Sequence, residues 1–105
     1  MEQRPLGEVL PAERIEAMEK AGYWRNEPWF VFFNEAVRRT PQKEVIVSFN
    51  SLHQATARLT YAELDVVVDR LVSGMAELGI GPVSTVSIQL PNWWQFTALH
   101  LACVR

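Results

Sequence analysis

The chain's apolar patterns predict an α/β fold, and three observations carry that prediction. A capped helix from Tyr61 to Leu78 presents one apolar stripe that must pack on something, and a sheet is the natural cover. A β-prone run from Thr85 to Leu90 follows it and is closed by Pro91. The helix after that run is apolar on nearly every face, as a helix enclosed in a larger body is. The predicted element order is helix, helix, β-hairpin, helix, strand, helix, which is half of an α/β sheet. The fold is expected to be incomplete as it stands.

Bulk composition agrees with a folded α/β body. The sequence has 105 residues, 49% apolar and 21% charged, so one small domain is the upper bound and disorder is excluded for most of it. A net charge of −2 offers neither a basic field for nucleic acid nor a polybasic patch for anionic lipid. One cysteine, Cys103, excludes an internal disulfide framework and points to a reducing compartment. The first ten residues lack a charged start followed by an apolar run, so no signal peptide is read there. The longest apolar stretches, such as Val45 to Val47 and Leu101 to Val104, are too short for a transmembrane segment. A cytoplasmic location is expected.

Residues 1–10 show no periodicity and read as a loose lead-in to a domain spanning 11–105. Pro11 to Ala21 reads as a helix with Ile15 and Met18 on one face, ended by Gly22. A second helix is expected over Glu27–Arg39, with Asn26 as N-cap, Pro28 in the first turn and Pro41 beyond the end. Trp29, Phe33, Ala36 and Val37 share a face of it, and Phe30 and Phe32 flank that face. Four aromatic residues could form a ligand cage, but helical spacing favours a packing role.

Val45 to Phe49 and Ala57 to Thr60 then read as two strands of a hairpin around a polar loop. Thr60-Tyr61-Ala62-Glu63 is a capping box, with Leu59 and Leu64 placed as a hydrophobic staple. Leu64, Val68, Leu71, Met75 and Leu78 form the stripe, and Gly79 is expected to close the helix in a left-handed conformation. Asn92 is expected to cap the last helix, paired with Gln95 in a second box. That helix reaches Arg105 without a terminating glycine or proline, and the chain is expected to be truncated within it.

No motif in the sequence assembles chemistry. Gly79-Ile80-Gly81-Pro82 follows a helix and precedes a strand, the reverse of what a phosphate loop needs. His53 has no second ligand nearby and reads as an exposed loop residue. Asp65 and Asp69 read as a solvated helix face rather than an acid–base pair, Asn92 as a cap rather than a ligand contact, Cys103 as an inert core thiol, and His100 as a packed side chain.

The segment Leu59-Thr60-Tyr61-Ala62-Glu63-Leu64 resembles the L-T-Y-x-E-L signature that opens the long helix of adenylate-forming (AMP-binding) enzymes. The helix end at Leu78-Gly79 and the run Val86-Ser87-Ile88-Gln89-Leu90-Pro91-Asn92 look like the acyl-CoA synthetase (acyl-CoA ligase) branch. Gln89 to Phe96, Leu101-Ala102-Cys103 and Ala21-Gly22-Tyr23-Trp24 are similar to cyclohexanecarboxylate-CoA ligase and short-chain acyl-CoA synthetases, which suggests fatty acid metabolism. Val83-Ser84 departs from the Gly-Asp common in the family, so the turn there is expected to take another form. The resemblance implies an N-terminal part of the large domain of a ligase. It also implies that in the parent protein a small carboxylic acid and ATP, with Mg2+, give an acyl-adenylate and pyrophosphate, and that the CoA thiol then displaces AMP. The phosphate loop, the Tyr-Gly-x-Thr-Glu segment and the catalytic lysine of that family have no counterpart here. The expected site residues are therefore catalytic none, cofactor-binding none and metal none, with no ATP, Mg2+ or CoA bound by this segment alone. Its expected partner is the remainder of its own polypeptide.

Two rivals stand beside that reading. A small non-enzymatic interaction module would use Trp29, Phe30, Trp93 and Trp94 as an exposed partner surface. An adenylation domain would load a carrier-protein thiol instead of CoA.

Overall fold

The computed structural model describes residues 10–105, so the lead-in expected for 1–10 lies, Leu10 apart, outside the described residues. The elements are α1 (Ala12–Lys20), α2 (Phe30–Arg39), β1 (Glu44–Asn50), β2 (Ala55–Thr60), α3 (Tyr61–Glu77) and α4 (Trp94–Val104).

The capping box at the head of α3 forms as its sequence dictates. The Glu63 amide donates to Thr60 Oγ1 at 3.2 Å, and the Thr60 amide donates to the Glu63 carboxylate at 3.0 Å. The remaining first-turn donors are met by the loop before β1: Tyr61 N donates to the Lys43 carbonyl and Ala62 N to the Pro41 carbonyl, both at 3.0 Å. A helix start leaves its first amides without intrahelical partners, and here the hairpin and its entry loop supply them. β1 and β2 pair antiparallel from Asn50↔Ala55 to Glu44↔Thr60, with an irregularity between Glu44 and Ile46. Both strands run further into the hairpin loop than expected. Residues 51–54 make the turn, with Asn50 Oδ1 accepting from the amides of Leu52 and His53 and Gln54 at φ 52°.

Leu64 and Val68 of α3 are fully buried against Ala98, Leu101 and Ala102 of α4, and Phe33 of α2 closes the same cluster. The small side chains Ala98 and Ala102 sit one turn apart on α4. Leu71 and Met75 continue the stripe at the margin of this core. Leu78 does not: it is 80% exposed, because α3 ends at Glu77 and the chain turns away through Gly79 at φ +81°. That end is a Schellman motif, with Ile80 N donating to the Met75 carbonyl and Gly79 N to the Ala76 carbonyl. Gly22, at φ +77°, closes α1 in the same way.

Three expectations need correction. α2 starts at Phe30 rather than Glu27, with no side-chain cap from Asn26; Val31 N and Phe32 N instead donate three residues back, to Pro28 and Trp29. Of its aromatic residues, Phe33 alone enters the core, while Trp29 and Phe32 are 46% and 43% exposed. Residues 85–90 form no strand. Their alternation suits one, but a strand exists only through a neighbour's ladder, and the sheet among the described residues is the two-stranded hairpin. The second capping box is absent too. Trp93 N donates to the Pro91 carbonyl at 2.7 Å, a tight turn that puts Asn92 at its centre and moves the N-cap to Trp93, which makes no side-chain cap bond. Val83 avoids positive φ, and its turn is closed by Ser84 N donating to the Gly81 carbonyl at 2.9 Å.

Thr60→Ala should cost about 1 kcal/mol in denaturant unfolding, with Thr60→Ser near neutral, because the box loses its hydroxyl acceptor. Leu64→Ala should cost about 2–5 kcal/mol by the same measurement, the range for a cavity in a packed core.

Candidate functional site

Concave features among the described residues flank the core. The first, a cavity of about 470 Å³, lies between the C-terminal half of α3, the 80–86 segment and the end of α4. The second is an apolar groove of about 440 Å³ between α2 and α4, walled by Trp29, Phe32, Tyr61, Phe96 and His100. The third is smaller and more polar, about 220 Å³, between the hairpin and the start of α4, with Ser48, Asn50, His53, Thr56 and Gln95 on its walls.

Each residue weighed from the sequence has a definite place on this surface. His100 is exposed and meets Trp29 edge to face, with ring centroids 5.7 Å apart at 89°. Cys103 is also exposed, so the expected core thiol is overturned: α4 buries its Ala98–Leu101–Ala102 side and turns Cys103 outward. His100 lines the aromatic groove and Cys103 the first cavity, so the turn between them does not make a thiol–imidazole pair. His53 is an exposed residue of the hairpin turn. Asn92 is exposed and makes no cap. Gln95 Oε1 is buried and has no hydrogen-bond partner.

Asp65 and Asp69 lie on the polar side of α3 as expected, with Asp69 65% exposed, and both are ion-paired as well. Arg105 Nη2 donates to Asp65 Oδ1 at 2.7 Å and Arg105 Nη1 to Asp69 Oδ1 at 2.6 Å. Nη2 also donates to Asn34 Oδ1 of α2 at 2.7 Å, and the guanidinium lies 5.7 Å from the Phe33 ring centroid. Burial works against the Arg105 charge, but the hydrogen bonds and charges of the two aspartates outweigh it and hold its pKa above the ordinary arginine value. Nothing local announces this cluster, because its partners are 36, 40 and 71 residues apart in sequence.

The glycine-bearing turn does not fit a phosphate. Its Gly79 and Ile80 amides close the end of α3, and Gly81 N donates to Ser84 Oγ at 3.0 Å, whereas an anion cradle needs amides left free. Among the described residues, no three His, Cys, Asp or Glu side chains gather where they could hold a metal ion. No helix among the described residues is long and apolar enough to cross a membrane. The four aromatic residues of the interaction-surface rival do not form one patch. Trp29 lines the aromatic groove, Trp93 and Trp94 wall the polar cavity, and Phe30 lines neither.

A hairpin locked to a capped helix, with a nearly all-apolar helix laid across it, defines a supporting layer of an α/β domain. The chain belongs to the AMP-binding enzyme family, whose pattern matches residues 33–105. It is 34% identical over 96 residues to the salicyl-AMP ligase / salicyl-S-ArCP synthetase of Mycobacterium tuberculosis, covering 91% of this chain and 17% of that protein. It is 32% identical over 95 residues to a salicylyl-CoA synthase / salicylate adenylyltransferase of a Streptomyces species, covering 90% and 16%. The apo structure of Mycobacterium smegmatis MbtA superposes with a TM-score of 0.76 at 38% identity, over 89% of this chain and 16% of that one. The chain therefore spans about one sixth of the length of these relatives.

Because Cys103 is exposed, Ellman's reagent should titrate it in the native 105-residue chain without denaturant. A thiol that reacts only after guanidinium is added would return Cys103 to the core.

Proposed function

We propose that residues 11–105 are the N-terminal part of the large domain of a cytoplasmic adenylate-forming ligase. The match of residues 33–105 to the AMP-binding enzyme family carries this reading. The whole protein activates a carboxylic acid with ATP, Mg2+ present, releases pyrophosphate, and passes the acyl group from the adenylate to a thiol. The segment's own part is structural: it packs a layer of the domain, and the reacting atoms are held by residues outside it.

The acid is a hydroxylated aryl acid of the salicylate type. The names of the Mycobacterium tuberculosis and Streptomyces relatives support this over the alicyclic, short-chain or fatty acids that the sequence resemblance suggested. CoA is the acceptor in the first reading, supported by the ligase-like run Gln89 to Phe96 and by the salicylyl-CoA synthase name. A carrier thiol is the acceptor in the second, favoured by the salicyl-S-ArCP name of the Mycobacterium tuberculosis relative.

Pyrophosphate exchange into ATP by the intact protein tests both halves. Salicylate should support exchange with CoA omitted, and cyclohexanecarboxylate should support far less. Adding CoA should then yield an acyl-CoA in the first reading and leave the adenylate in place in the second. The 105-residue chain alone should give no exchange with any acid. An intact protein that exchanges with no carboxylic acid would sink the reading.

A further inference from the structure

We infer that Arg105 is the positioning residue that fixes the axial register and rotation of α4 against α2 and α3. The apolar surface of α4 cannot do this by itself. Ala98, Leu101 and Ala102 are buried, while Trp94, Phe96, Leu99 and Val104 are half-buried around the rest of the helix. Hydrophobic burial is non-directional, so a helix apolar on most sides gains nearly as much when rotated or slipped.

The Arg105 cluster removes that freedom. Its two terminal nitrogens reach carboxylates that stand one turn apart on α3, and Nη2 also reaches Asn34 on α2. A planar fork bonded to three oxygens on two helices loses bonds when displaced, and a shift of about 1.5 Å, the rise of one residue, spoils the match. The Arg105 side chain is 18% exposed and that of Asp65 is 30% exposed, so this pair is screened less than a surface ion pair. Desolvation at such a site offsets much of the charge attraction, and what the cluster supplies is a unique arrangement more than net stability. Without the guanidinium, Asp65 and Asp69 are like charges one turn apart and repel.

The test separates register from stability in the intact protein. Trifluoromethylphenylalanine placed at Thr97, an exposed position on α4, reports the environment of that helix by fluorine NMR. The parent should give one sharp resonance. The triple variant Asp65→Leu, Asp69→Leu, Arg105→Met removes every charge together, so no unpaired carboxylate is left to confuse the result. It should melt at or above the parent temperature yet show a broadened or split resonance. Arg105→Lys, which keeps the charge but pairs with one carboxylate at a time, should broaden the resonance with little change in melting. A single sharp resonance at the parent position in either variant overturns the inference. A triple variant that melts far lower or fails to fold also overturns it, because the cluster would then be a source of stability.

Discussion

The first turn of α3 is the joint on which the rest of the segment depends. Four backbone donors meet there, at Thr60, Tyr61, Ala62 and Glu63, and each has a partner: the Glu63 carboxylate, the Lys43 and Pro41 carbonyls, and Thr60 Oγ1. Two of these bonds are local and two come from the loop that precedes β1. The helix therefore cannot start cleanly unless the hairpin is in register, and the end of β2 is held by the helix it feeds. The four bonds tie the start of α3 to the hairpin and its entry loop. Leu64, only four residues past the cap, is buried to 1% exposure because this joint aims its side of α3 at α4 and α2.

What that joint organises is a small core with a large apolar remainder. Among the described residues six side chains are buried, whereas Leu52, Val83 and Phe49 stand 74%, 99% and 62% exposed. Several large apolar side chains of the described residues therefore face solvent. The hairpin shows why: two strands are marginal in water, and Val47 and Phe49 lie on the face away from any helix of this segment. The matched relatives are about six times longer than this chain.

How much was legible in the sequence follows the range of the interactions. The capping box, the two glycine helix ends and the hairpin were readable because every determinant lies within a few residues: Thr60 with Glu63, Gly79 with Met75, Gly22 with Met18. Asn92 misled because its neighbours decide its role; the Pro91 carbonyl captures the Trp93 amide before Asn92 can cap. Thr85 to Leu90 misled for a different reason. Alternation specifies the two faces of a strand but not its partner, and a ladder needs both. The exposure of Cys103 was hard to see because α4 is apolar on most sides, and only the short polar row of Thr97 and His100 marks the side on which Cys103 turns outward.

The Arg105 cluster is the opposite case, legible only in three dimensions, and it supplies what the patterns lacked. Nothing within a few residues of Arg105 announces its part in the cluster. Its partners, Asn34, Asp65 and Asp69, lie on two other helices, and no periodicity links them. Hydrophobic pattern decides that α4 must be covered, whereas directional polar contacts decide how it lies. The joint at Thr60 does the same for α3 and the hairpin. In both places a few oriented hydrogen bonds convert a non-specific apolar layer into one arrangement.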